Sequence, residues 1–92
     1  MVNFEWDPGK ANQNRRKHRV SFQEAATVFG DPLAVTYPDP DHSTSEQRFI
    51  TVGMSSANRV LIVAHSDRAE NVRIISARKT TRREQKHYEE TN

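Results

Sequence analysis

Residues 60–65 read Val-Leu-Ile-Val-Ala-His, and as a strand this run is apolar on both of its faces. Leu61, Val63 and His65 alternate with Val60, Ile62 and Ala64. Such a strand belongs in the middle of a sheet, with material packed against both sides. Its neighbours fit that position. A strand from about Gln47 to Met54 precedes it, with Arg48, Ile50, Val52 and Met54 on one face, and another from about Val72 to Ser76 follows. The connections, Ser55 to Asn58 and Ser66 to Asn71, are short enough for antiparallel hairpins, so the three strands form a meander. Leu33 to Tyr37 adds an earlier strand, followed by a loop from Pro38 through His42-Ser43-Thr44-Ser45.

Helices flank the strands. Phe4 and Trp6 alternate with Asn3 and Glu5 in a short opening strand, and Asp7-Pro8 supplies an N-cap with proline at the first helical position. The helix should run from about Pro8 to His18. Its only apolar residue after Gly9 is Ala11, so it lies on the surface with its basic side exposed. Ser21-Phe22-Gln23-Glu24 is a capping box for a second helix, whose Phe22, Ala25, Ala26 and Phe29 make a buried stripe, and Gly30-Asp31-Pro32 stops it. Thr81-Arg82-Arg83-Glu84 is another capping box, opening a polar helix that reaches about Glu90. The expected fold is α+β: helices packed on one twisted antiparallel sheet, in a single domain over residues 1–92.

A chain of 92 residues with 34% hydrophobic and 28% charged residues is globular but has little apolar material for a deep pocket. An extended substrate or a protein partner suits its surface better. Without cysteine there is neither a disulfide framework nor a thiolate zinc site. The N-terminus has no basic and apolar leader, and no segment is apolar enough to span a bilayer, so a soluble, unprocessed cytoplasmic protein is expected.

The net charge of +2 is modest, but its distribution is uneven. Lys10, Arg15, Arg16, Lys17 and Arg19 occur without an intervening carboxylate, whereas Asp31 to Glu46 contains four acids and no Lys or Arg. A second basic run, Arg73, Arg78, Lys79, Arg82, Arg83 and Lys86, is broken only by Glu84. Two such runs can converge on a polyanion, or each can be a solvated face.

RNA carries its own nucleophile, the ribose 2′-hydroxyl. A protein accelerates strand cleavage by moving protons and neutralising the phosphorane, which Lys, Arg, His and Glu can do without a metal. Lys17, His18, Glu46, Arg48, Arg73 and Arg78 are the candidates for that work, and Arg15, Arg16, Lys79 and Arg82 for further RNA contacts. Each has a structural alternative. Lys17 and His18 can complement a helix dipole, worth roughly 0.3 to 1 kcal/mol each. Glu46 and Arg48 can form a surface pair, His65 a hydrogen-bonded core histidine, and Trp6 a core anchor. Asp39, Asp41, His42 and Glu46 are plausible ligand types, but their spacing fits no known metal loop, so no metal or other cofactor is expected. No glycine-rich phosphate loop and no nucleophile elbow is present.

Several phrases in order carry a resemblance to a known family. They are Phe4-Glu5-Trp6-Asp7-Pro8, Lys10-Ala11, Asn14, Lys17-His18 and Ser21 to Ala26; then Val28-Phe29 with Asp31-Pro32, and His42-Ser43 with Glu46 and Arg48. Gly53 with Ser55, Arg59 with Leu61 and Val63, Arg73 through Lys79, and Tyr88-Glu89 complete the set. The chain resembles the BrnT family, ribonuclease toxins of bacterial toxin-antitoxin pairs, over essentially its whole length. The resemblance implies a RelE-like fold, endoribonuclease activity that arrests growth, and neutralisation by a BrnA-like ribbon-helix-helix antitoxin in a 2:2 complex. The toxin would then meet DNA only through its antitoxin. One departure stands out: Arg19 occupies a position where the family usually has glycine, and arginine there costs about 1 kcal/mol or ends the helix differently. The alternative, from another class, is a non-catalytic RNA- or protein-binding module using the same basic surface.

Overall fold

The computed structural model describes residues 2–42 and 46–91, so the loop expected at Ser43 to Ser45 lies outside the described residues. Five strands, β1 (Asn3–Glu5), β2 (Val35–Pro38), β3 (Arg48–Met54), β4 (Val60–Arg68) and β5 (Asn71–Lys79), form one sheet in the order β1-β5-β4-β3-β2. Three helices, α1 (Pro8–His18), α2 (Phe22–Thr27) and α3 (Arg82–Thr91), accompany it. The α+β class is as expected, and β4 is the central strand. One pairing departs from the expected all-antiparallel sheet: β1 lies parallel to β5, with Phe4 opposite Val72. No hairpin constrains the first strand, so it can run either way along the free edge of β5.

The hairpin strands are longer than their sequence pattern. Ser66 to Arg68 continue β4, and only Ala69 and Glu70 turn the chain, Ala69 with a positive φ of 52°. β5 runs on through Arg78 and Lys79 instead of stopping at Ser76. Its register slips in the middle, where Ala64 faces Ser76 but His65 faces Ile74. The extra residue, Ile75, is a bulge that turns both Ile74 and Ala77 into the core, three positions apart.

The core lies between one face of the sheet and the first two helices. Phe22, Ala25 and Val28 pack with Val20 against Leu61, Val63, Ile74 and Ala77, all fully or almost fully buried. Burying a side chain the size of Phe22 or Leu61 stabilises by about 1.5 to 3 kcal/mol. Trp6 meets Phe22 edge-on at 6.0 Å, as an anchor of the core. His65 is more deeply buried than its pattern implied, at 2% exposure, between the rings of Phe29 and Phe49. Its nitrogens bond the Thr51 hydroxyl at 2.7 Å and Asp67 at 3.0 Å, and burial lowers its pKa.

Local capping explains the helix ends. Asp7 accepts from the Lys10 amide at 3.1 Å, with Pro8 at the first position. α1 ends at Arg19, which itself takes the left-handed conformation (φ 60°, ψ 32°) while its amide bonds the Arg15 carbonyl. The Ser21 hydroxyl caps Glu24 at 3.0 Å, but the Glu24 carboxylate does not close the box. It binds Arg59 through Nε at 2.9 Å and through Nη2, and accepts from Ser55 at 2.7 Å. α2 gives way after Thr27 to a turn of 3-10 helix, Val28–Gly30. The α3 box does close: Glu84 N–H donates to Thr81 at 3.2 Å and the Thr81 amide to Glu84 at 2.8 Å.

Candidate functional site

Cross-strand partners share a face, so the register defines what the second face of the sheet presents. One row across it is Val35, Val52, Ile62 and Arg78. The next is Tyr37, Ile50, Ala64 and Ser76, and a third is Arg48, Ser66, Arg73 and Glu5. An apolar middle is thus bounded by arginines at opposite ends. α3 covers this face only in part. Tyr88 is its buried residue, and the hydroxyl donates to Asp31 at 2.5 Å, while Asp31 also accepts from the Met54 amide at 2.7 Å. Burial, with that bond, raises the Tyr88 pKa to about 12.

Beside α3 the face forms a cleft of about 240 Å³ that brings together His18, Arg48, Ser76 and Arg78 over Ile50 and Ile62. His18 arrives because α1 lies along β5 beyond the end of β1. The buried Asn14 holds it there. Its side-chain amide donates to the carbonyls of Val20 and Ala77, both at 2.9 Å, and its oxygen accepts from the Ala77 amide at 3.1 Å. Ala77 therefore turns both backbone groups away from β4, and the asparagine serves as a one-residue strand on the open edge. Asn14 belongs to the opening sequence phrase, yet nothing about a lone polar residue on a polar helix marked this role.

Three of the six candidate catalytic residues, His18, Arg48 and Arg78, line the cleft. The other three do not. Lys17 is exposed on α1. Glu46 accepts from Ser66 at 3.2 Å and from Arg68 at 2.9 Å, and the Arg68 guanidinium holds its carboxyl below the usual range. Arg73 lies 3.4 Å from Glu5. Both sit in or beside the row that begins with Arg48, at the far end of the same face. Among the cleft residues, Arg78 binds Glu84 through both terminal nitrogens, at 2.9 Å each. Arg78 in turn depresses the Glu84 carboxyl to about 2.

The remaining expected RNA contacts lie outside the cleft, and Lys79, opposite Leu61, belongs to the other face of the sheet. Arg15 and Arg16 line a shallow hollow on α1 with Asn12 and Arg19, Lys79 is exposed at the end of β5, and Arg82 lies on α3 beside Arg83 and Lys86. Next to the cleft, and sharing Ile50, Ile62 and Arg78 with it, runs a groove of about 570 Å³ between Tyr37 and α3. Asp39 and His42 also line the cleft and form a pair at 3.0 Å. Among the described residues no group of three or more potential ligands gathers to hold a metal ion. Among them, too, no helix is long and apolar enough to cross a membrane.

Comparison with known proteins gives two findings. The crystal structure of the Brucella abortus ribonuclease toxin BrnT superposes with a TM-score of 0.70 at 18% identity, covering 89% of this chain and 100% of that one. This likeness concerns the fold, and the RelE-like label is consistent with it. A search of curated proteins finds no match. A family model described as the ribonuclease toxin, BrnT, of type II toxin-antitoxin systems matches residues 6–84, from Trp6 on the core to Glu84 on Arg78. The chain belongs to the BrnT family of type II ribonuclease toxins.

Proposed function

We propose that this protein is a metal-independent endoribonuclease whose cleft promotes attack of a ribose 2′-hydroxyl on the adjacent phosphate. The observation that carries this reading is the meeting of His18, Arg48 and Arg78 on one open sheet face. Arg48 and Arg78 neutralise the charge that builds on the phosphorane. His18 supplies an imidazole, the side chain best suited to exchanging protons near neutrality. The bond from the 2′-oxygen to phosphorus forms and the bond to the 5′-oxygen breaks. One proton leaves the 2′-hydroxyl and one reaches the 5′-oxygen, giving a 2′,3′-cyclic phosphate and a 5′-hydroxyl. Glu46 is the poorer proton carrier, because Arg68 keeps it ionised and it stands outside the cleft lining. Lys17, Arg15, Arg16 and Arg73 extend the positive surface for the flanking phosphates, with Arg82 on α3; Lys79, opposite Leu61 on the other face of the sheet, is the poorest placed of the expected contacts.

Purified protein should cut single-stranded RNA in the presence of chelator and leave cyclic phosphate ends. Arg78→Ala should lower kcat by about 100- to 1,000-fold, the usual cost of removing one group that stabilises transition-state charge. Activity lost in chelator and restored by a divalent metal would overturn the mechanism. A second reading, a non-catalytic RNA- or protein-binding module, draws on the internal pairing of Arg73 and Arg78 with glutamates. It predicts binding without turnover. Growth and bulk RNA after induction of the wild type and of a Lys17→Ala/Arg78→Ala double variant separate the two. Growth arrest by the wild type alone supports the toxin, and equal harmlessness without cleavage supports the module.

The family implies an antitoxin. We take it to be a BrnA-like ribbon-helix-helix protein that covers the cleft in a 2:2 cytoplasmic complex and alone contacts DNA. Co-expression with a neighbouring gene of that kind should restore growth, and light scattering of the purified complex gives its stoichiometry.

A further inference from the structure

We propose that Glu84 is a positioning residue, which braces Arg78 through the capping box of α3 and leaves the remaining edge of the guanidinium for a substrate phosphate. The inference rests on the ribonuclease reading of the cleft. Arg78 is 42% exposed, and a long exposed side chain ordinarily samples many rotamers. Here it is fixed at three points. Nη1 donates to Glu84 Oε1 and Nη2 to Oε2, both at 2.9 Å, and Nη1 donates again to the Lys79 carbonyl at 3.2 Å. Glu84 is itself fixed, since Oε1 also accepts from the Thr81 amide at 2.8 Å.

These contacts account for both hydrogens of Nη1 and one of Nη2. The Nε hydrogen and the second Nη2 hydrogen remain, and side by side they make the fork that guanidinium offers to a phosphate. The two sides of Arg78 are also distinct in the fold. Arg78 lines both the cleft and the neighbouring groove, while Glu84 lines the groove and not the cleft. The carboxylate therefore holds the arginine from the groove, outside the cleft that His18 and Arg48 line. A group fixed before substrate arrives spends no reorganisation at the moment of reaction, and misplacement by about 1 Å can cost on the order of 100-fold in rate.

Glutamine at position 84 separates the brace from the cap. Its amide oxygen still closes the capping box, which accepts Glu or Gln. It cannot take two hydrogen bonds from Arg78 on two oxygens. Glu84→Gln should still melt cooperatively well above the assay temperature and lower kcat about 10- to 100-fold with KM little changed. Glu84→Asp, charged but too short to span the fork, should lose activity similarly. In an Arg78→Ala background, Glu84→Gln should cost nothing more. The ¹⁵N NMR signal of the Arg78 Nε–H, sharp in the wild type, should broaden in Glu84→Gln as the guanidinium begins to rotate.

Several results overturn the brace. They are a Glu84→Gln protein that cuts at the wild-type rate or faster, a loss that persists in the Arg78→Ala background, and an unchanged Arg78 signal. A wild type that cuts no RNA overturns the ribonuclease reading and the catalytic purpose of the brace with it. A cutting wild type matched by Glu84→Gln overturns the brace alone.

Discussion

Replacing Asn14 by alanine should be among the most damaging single changes in this chain, although the residue lies on a helix that is otherwise polar and exposed. Its side chain makes three buried hydrogen bonds, to Val20 O, Ala77 O and Ala77 N. Each is worth about 1 kcal/mol net, and a buried backbone group left without a partner costs roughly 1 to 3 kcal/mol. Two carbonyls and one amide lose their partner together, so we expect a loss of about 3 to 5 kcal/mol. A chain of this length has on the order of 5 to 14 kcal/mol in all. Urea unfolding followed by the fluorescence of Trp6, the sole tryptophan, measures it. Asn14→Asp keeps the shape but sets a carboxylate against two carbonyls, so it should be at least as unstable at neutral pH. The consequence reaches the cleft, because His18 is one helical turn beyond Asn14 and Arg78 is next to Ala77. A destabilisation under about 1 kcal/mol for Asn14→Ala, or an aspartate variant as stable as the wild type, would refute the account of the edge.

Gly53→Ala should destabilise by about 1 to 3 kcal/mol, because a Cβ there would stand 2.8 Å from Ala34 Cβ and 2.9 Å from Val28 Cγ1; a wild-type urea midpoint would show the site to be roomier than it looks. Arg19→Gly should stabilise by about 1 kcal/mol, since Arg19 adopts φ 60° and its contact to Arg59 uses only the backbone carbonyl; a lower melting temperature would contradict this. Acid should weaken the fold in two windows. Glu84 is depressed to about 2 from 4.5, so its contribution is complete above about pH 4.5 and disappears as pH falls towards 2. Glu84→Gln should flatten that part of a plot of melting temperature against pH. The burial-lowered pKa of His65 places another decline below about pH 6.5, and a flat curve from about pH 7 to 5 would count against it.

Alternation and capping made most of the fold readable. The apolar double face of residues 60–65 put β4 at the centre, and Asp7-Pro8 with Ser21 and Thr81 marked three helix starts to the residue. What failed were features that depend on a partner distant in sequence. The β5 bulge at Ile75 is invisible to a count of alternation, since it exists only relative to Ala64 and His65. Glu24 illustrates the same limit at a cap. Its spacing from Ser21 fits the reciprocal box, but Arg59, 35 residues later, offers a stronger partner and takes the carboxylate.

The basic runs show why the site itself was only half legible. Counted along the chain, the run on α1 and the run from Arg73 to Lys86 both looked able to hold a polyanion. Folded, the two differ. Strand pairing puts Arg73 beside Glu5, and the turn into α3 puts Glu84 on Arg78, so both cations carry a carboxylate. On α1 the exposed Arg15, Arg16 and Lys17 have no carboxylate partner among the described residues, and nothing acidic lies in the first turn of their helix. An unscreened cation attracts phosphate from a distance, whereas a paired one contributes mainly through geometry at contact. We therefore expect the two runs to act differently, with α1 supplying the field that gathers RNA and β5 supplying an arginine already aimed. Alanine at Arg15 and Arg16 should then chiefly raise KM and reduce its salt dependence, while changes at Arg78 or Glu84 fall on kcat. Steady-state cleavage of one oligonucleotide at about 50 and 200 mM salt distinguishes these effects, and a kcat defect from the α1 pair at both salts would show that the division is wrong.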